Sequence, residues 1–270
     1  MLPATDGRSA VNAGAARGAS TPILQWKDSE PSLPPAGGEI HLWRIPLLAE
    51  PGIAADRARL LIDDELDRMG RYRFERDRER FAMCRGALRI LLGRYLSIDP
   101  RQVRFRYSPK GKPELDQTAG TRHRHDLRFN LSDSSDWALL AITRGDEIGV
   151  DIERVRPLPD AEILARDHFS PREYDEYKAL PPSEKLAGFF NCWTRKEAWL
   201  KATGEGITVP LDRFDVTLVP GQGPRLLRVE GDPDAPARWA LYDCVPAQDY
   251  VGAIAVKGKP SHRVAMTFRP

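Results

Sequence analysis

Cysteine is scarce in this chain. Cys84, Cys192 and Cys244 are its three thiols among 270 residues, odd in number and far apart. Their spacing offers neither a disulfide framework nor the paired thiols of a zinc site, which points to a reducing compartment. Long apolar runs are missing too. Nothing approaches the roughly 20 consecutive residues that cross a bilayer. The N-terminus lacks the charged and apolar regions of a secretory signal, so a cytoplasmic location is expected. Nor does one charge dominate. Lys and Arg total 41 against 39 Asp and Glu, a net +2, so no global field calls for nucleic acid or a membrane as partner. What is present is 41% hydrophobic residues, enough for one large domain or two small ones.

Residues 1–38 are rich in Ala, Gly, Ser and Pro and close on PSLPPAGG. That composition predicts a disordered tail. EIHLWRIPLL alternates like a strand, and a long helical stretch is predicted over about 56–97. Its second half places Phe81, Cys84, Leu88, Leu91 and Tyr95 on one face, and its first half is arginine-rich from Arg68 to Arg80. VRFRY reads as a strand, SPKGKPEL as a turn, and RFNLSDSSDWALLAITR as a hairpin. EIGVDIERV is another strand, about 160–203 is helical, and RFDVTLV and YVGAIAV are strands near the end. His123 and His125 lie in a polar loop and read as surface residues.

The order of elements repeats. IHLWRIPLL matches EIGVDIERV, and RFAMCRGALRILL matches FFNCWTRKEAWLKA, at an offset near 108; RFNLSDS matches RWALYDC at 110, setting Arg128 over Arg238 and Asp133 over Asp243. The common offset predicts an α+β fold of two similar sheet-plus-helix halves related by a pseudo-two-fold. They would join near residues 144–148, with a ligand cleft between them. The expected boundaries are a tail at 1–38, halves at 39–145 and 146–258, and a second tail at 259–270.

Two places carry unusual charge. Along NCWTRKEAWLKATGEGI, counting back from Lys201 gives Glu197, Trp193, Phe190 and Leu186 on one helix stripe. Glu four residues before Lys is also a common exposed pair, worth about 0.2–0.5 kcal/mol. In the 148–154 strand, Gly149, Asp151 and Glu153 share the face opposite Ile148, Val150 and Ile152. Two carboxylates about 7 Å apart along a strand suit a hard cation such as magnesium; a solvated outer face is the other reading. An inward-facing Glu197 is costly to bury unless paired or bound to a metal. Asp151, Glu153 and Glu197 together would supply such a site, with Lys201 one turn beyond to hold a phosphate or assist proton transfer. Lys112, in the GKP turn, is either exposed or a phosphate or nucleotide contact. The 68–80 arginines are either a solvated face or bidentate phosphate binders.

Taken in order and spacing, these motifs resemble the 4'-phosphopantetheinyl transferase superfamily. The strand motif reads Ile148-Gly149-Val150-Asp151 and the helix motif reads Trp193, Lys196-Glu197, Lys201. GKP at 111–113, FNLSDS at 129–134 and GEGITVPLDRF at 204–214 resemble the long, two-halved Sfp type, and the resemblance spans about residues 40–258. It implies that coenzyme A lies in the cleft with magnesium on its diphosphate, and that a carrier-protein serine attacks the phosphate next to pantetheine. The implied products are the holo carrier protein and adenosine 3',5'-bisphosphate. By that likeness Asp151, Glu153 and Glu197 are the expected magnesium ligands, and Glu197 is also the expected base. Lys201 and Ser132 would contact phosphate, Lys112 and Pro113 the adenine side, Arg80 the nucleotide and Arg68 the 3'-phosphate. A monomer is expected, because the two halves already build the cleft.

The chain departs from the family pattern at Asp133, where SHS becomes Ser132-Asp133-Ser134, and at Phe81, where many relatives carry a small or polar residue. The family histidine faces the coenzyme A phosphates, so an aspartate there adds negative charge beside a dianion. Two other readings accompany the transferase. One is a relative that binds coenzyme A or a carrier protein without transfer. The other is an unrelated magnesium phosphohydrolase, against which GEGITVPLDRF argues.

Overall fold

Residues 24–28, 34–48, 50, 52–116, 126–206 and 209–269 are described by a computed structural model. The tail residues before 24, and His123 and His125, lie outside them. The chain runs through β1 (Trp26–Lys27), β2 (Glu39–Pro46), α1 (Ile53–Ala58), α2 (Asp63–Gly70) and α3 (Glu75–Leu96). A short hairpin, β3 (Phe105–Tyr107) and β4 (Pro113–Leu115), precedes a longer one, β5 (Leu127–Ser134) and β6 (Trp137–Arg144). The second half holds β7 (Ile148–Arg154), α4 (Ala161–His168), α5 (Pro171–Ala179) and α6 (Pro182–Thr203). There follow β8 (Phe214–Val216), β9 (Leu226–Val229), α7 (Ala235–Arg238), β10 (Trp239–Cys244), β11 (Tyr250–Lys257) and β12 (His262–Thr267).

The repeat seen in the sequence is a repeat of topology. One sheet contains β2, β6 and β5 in that order, the other β7, β11 and β10, with antiparallel neighbours in both. Alternation on each strand divides the side chains between two cores. Ile40, Leu42, Leu139 and Ala141 meet Ile148, Val150, Ile152, Ile254 and Val256 between the sheets. On the outer side, Trp43, Ile45, Leu140 and Ile142 pack against Met83, Leu88 and Leu91 of α3. Ala253 and Ala255 pack with Phe190, Ala198 and Ala202 of α6. Each long helix thus covers the outer face of its own sheet. No described helix is long and apolar enough to cross a membrane.

Three expectations change. The predicted helix over 56–97 is divided into α1, α2 and α3. Glu65 accepts from the Ile62 backbone N–H to start α2, then receives Arg85 Nε at 2.8 Å and Arg89 Nε at 2.5 Å. A straight helix cannot bring those three side chains together. The 160–203 region is likewise three helices. Ser170 and Glu173 form a capping box at α5, and Pro stands in the first turn of α5 and of α6. Last, neither expected tail is a tail throughout: within 1–38, Trp26–Lys27 form β1, and within 259–270, residues 262–267 form β12. β12 runs parallel to both β1 and β2, so residues near both chain ends complete the first half's sheet. Buried Ala265, Met266 and Phe268 drive this, and Trp26 Nε1 donates to the Val245 carbonyl at 2.8 Å.

Candidate active site

The site grows from one close approach. Gly149, Asp151 and Glu153 project from β7 toward α6, as the two-residue period requires. At Gly149 the two backbones nearly touch: a Cβ there would stand 2.1 Å from the Ala198 carbonyl oxygen and 2.3 Å from the Ala202 nitrogen. The position needs glycine for space. That approach brings Asp151 under Lys201, one residue before Ala202.

Asp151 is 4% exposed. Its Oδ1 accepts from Lys201 Nζ at 2.6 Å and from Ser132 Oγ at 2.9 Å, and Lys201 Nζ also donates to Ser132 Oγ at 2.8 Å. Asp151 Oδ2 is buried with no hydrogen-bond partner among the described residues. A buried acceptor without a well-aligned donor costs about 1–3 kcal/mol, and with the Ile152 N–H as the nearby backbone donor a bound cation would relieve that cost. Burial pushes the Asp151 carboxyl above the usual aspartate range, against the pull of Lys201 and Ser132. Glu153 and Glu197 are both half-buried. Burial raises each of them first, and the Asp151 charge raises each further. Glu153 and Glu197 each feel the Asp151 charge, and with the spare buried oxygen of Asp151 they offer oxygen ligands of the kind a divalent cation takes. Among the described residues no three His, Cys, Asp or Glu side chains are gathered into a preformed metal centre; the Lys201 ammonium is the cation at Asp151.

The FNLSDS motif explains how the halves meet. Asn130, Ser132 and Ser134 share one face of β5 and stitch its edge to β7 by side chains. Asn130 Oδ1 accepts from the Val150 N–H at 2.8 Å, Ser132 bonds Asp151, and Ser134 Oγ donates to Glu153 Oε2 at 3.1 Å. Asp133 projects the other way. With Leu131 and Ser135 it lines an open cleft of about 390 Å³, whose walls include Arg68, Tyr72, Arg80, Phe81 and Pro113. Asp133 is open to this cleft, yet surrounding protein pushes its carboxyl up, opposed by Lys201, Arg68 and Arg80.

The expected nucleotide contacts are brought to one region but are differently engaged. Arg68 is exposed and stacks over Phe81 at 5.7 Å. Arg80 pairs with Asp136. Lys112 does not offer its ammonium to the cleft: Nζ donates to the Ala202 carbonyl at 2.8 Å. Trp193 packs below the site as expected, stacked on Phe189 at 5.8 Å.

Sequence reasoning missed the ion pairs that hold α6. Lys196, fully buried beside Glu197, lies 2.7 Å from Glu173 and donates to the Leu211 carbonyl at 2.7 Å. Arg195 pairs with Asp243 at 2.6 Å and donates to the Thr217 carbonyl at 2.6 Å. The Ser170-x-x-Glu173 capping signal was legible in the sequence; its long-range partner was not.

The sequence has known relatives. The family model for the 4'-phosphopantetheinyl transferase superfamily matches residues 147–255, and that for the 4'-phosphopantetheinyl transferase N-terminal region matches 54–144. The 4'-phosphopantetheinyl transferase HetI of Nostoc sp. is 42% identical over 234 residues, 86% of this chain and 94% of that one. The transferase psf-1 of Bacillus pumilus is 32% identical over 66% of this chain and 71% of its own. The transferase Sfp of Bacillus subtilis is 30% identical over 57% and 65% respectively. With the repeated halves and the Asp151–Ser132–Lys201 cluster where they adjoin, these likenesses settle the family: the chain belongs to the 4'-phosphopantetheinyl transferase superfamily, in its long Sfp type.

Proposed function

We propose that this protein moves the 4'-phosphopantetheine arm of coenzyme A onto a serine of an acyl or peptidyl carrier protein. The observation that carries this reading is the buried Asp151 carboxylate, one oxygen held by Lys201 and Ser132 and the other unpartnered. Asp151, Glu153 and Glu197 would hold a magnesium ion, which supplies charge neutralisation on the diphosphate when bound. Phosphoryl transfer asks mainly for positioning and electrostatic stabilisation, and the remaining roles fall to the chain itself. Glu197, made more basic by burial and by Asp151, accepts the proton of the carrier serine hydroxyl. The serine oxygen forms the new P–O bond at the phosphorus next to pantetheine. The bond to the departing oxygen breaks, and adenosine 3',5'-bisphosphate leaves with that electron pair. Lys201 balances charge on the phosphates. Arg68, Arg80 and Pro113 line the cleft that receives the nucleotide. The chain works as a monomer in a reducing compartment, where its three buried thiols stay free.

A second reading, binding without transfer, draws on Asp133, which sets a carboxylate in the cleft that Arg68 and Arg80 also line. Intact-mass spectrometry of an apo carrier protein with coenzyme A and magnesium separates the two. The transferase adds one phosphopantetheine arm, and Glu197→Ala abolishes the gain. No mass gain on several carrier types, with coenzyme A still bound in calorimetry, would replace it with the second reading.

A further inference from the structure

We propose that Lys112 is a positioning residue, which clamps the start of β7 to the last turn of α6 and so sets the contact between Asp151 and Lys201. This rests on the transferase reading and assigns Lys112 a role other than touching the nucleotide through its ammonium. Its Nζ donates to the Ala202 carbonyl at 2.8 Å and to the Ile148 carbonyl at 3.4 Å, with Glu147 Oε2 at 3.5 Å. The side chain is 11% exposed. The two carbonyls belong to the two elements that meet at Gly149. Ala202 follows Lys201 directly, and Ile148 precedes Asp151 by three residues.

The chemistry at that point favours a cation. The last carbonyls of a helix lack intrahelical donors, and the C-terminal end carries partial negative charge. At the end of α6 the Leu200 carbonyl receives Gly204 N and Thr203 Oγ1, while the Ala202 carbonyl receives Lys112. The donor comes from a stiff support. The Lys112 backbone N–H is held by Ser108 Oγ at 3.0 Å, and Gly111 turns the chain at a φ of 84°. Lys110 of the same turn pairs with Glu205, just past the helix end. The first half therefore grips α6 beside Lys201, and the 2.6 Å contact of Lys201 with Asp151 is made across the elements so held.

Steady-state kinetics with coenzyme A varied at saturating apo carrier protein tests this. Lys112→Met should lower kcat by about ten-fold or more while the KM for coenzyme A stays within about two-fold, as loss of alignment does. Lys112→Arg, which keeps a cationic donor, should recover most of kcat. Amide hydrogen exchange at residues 200–204 should quicken in Lys112→Met and not in Lys112→Arg. A raised KM with unchanged kcat, or unchanged exchange, overturns the proposal. If the Met variant fails to fold, Lys112→Gln is judged by the same criteria. Exchange does not depend on turnover, so absence of transfer by the unaltered protein would refute the transferase reading and leave the clamp to be decided separately.

Discussion

Gly149→Ala tests the geometry on which the site depends. The added Cβ would sit 2.1 Å from Ala198 O, 2.3 Å from Ala202 N and 2.8 Å from Ala202 Cα, where ordinary contact begins near 3.4 Å. All three are backbone atoms of one helix, so no side-chain rotation relieves the clash. Either α6 or β7 must retreat by about 1 Å, and overpacking of this kind costs about 1–3 kcal/mol. At about 2–4 °C per kcal/mol for a chain of this size, the melting temperature should fall by several degrees. The same retreat would open the 2.6 Å contact of Lys201 with Asp151, and a displacement of about 1 Å can cost roughly 100-fold in rate. Thermal unfolding measured beside kcat for carrier modification reads both effects. A variant that melts within about 1 °C of the parent, well inside the expected overpacking cost, and keeps its kcat would refute the claim that this contact sets the site.

Other perturbations follow the same physics. Lys196→Met leaves Glu173 buried without its 2.7 Å partner and should cost about 3–5 kcal/mol in denaturant unfolding; adding Glu173→Gln should return part of it. Asp133→Asn removes a carboxylate from the cleft lined by Arg68 and Arg80, and calorimetry should find coenzyme A binding tightened about five-fold, the scale of one unit charge near contact in water-like surroundings. Unchanged affinity would place the phosphates elsewhere. Glu197 has a pKa raised on folding, so its favourable contribution is complete below the unfolded value near about pH 4.3 and is lost as pH rises through the folded value. Glu197→Gln in the metal-free protein should therefore melt higher than the parent at neutral pH, with the gap closing on acidification. A gap that widens toward acid would contradict the assigned direction.

The site was legible where chemistry coincided with local periodicity. Asp151 and Glu153 were assigned to one face by the two-residue strand period, and Glu197 and Lys201 to one stripe by the helix period. Both assignments depend only on residues within a few positions of one another. The two halves were legible for a related reason: duplicated patterns at a constant offset produce the same strand order in each half. Asn130, Ser132 and Ser134 also lay in a visible alternation, although what they grip could not be read from it.

The rest depended on contacts between residues far apart in the chain. Nothing local to GKP shows that Lys112 ends on the carbonyl of Ala202, 90 positions away, and not in the nucleotide cleft. Glu65 breaks a predicted helix because Arg85 and Arg89 need its carboxylate. His262–Thr267 becomes a strand because the edge of β2 was open and β1 could cover it. The sequence by itself determined which faces are apolar and which carry charge, since that follows from backbone periodicity. Only the tertiary structure decided which charges meet, because a buried ammonium or carboxylate takes whichever partner the packing of distant elements brings within hydrogen-bond reach.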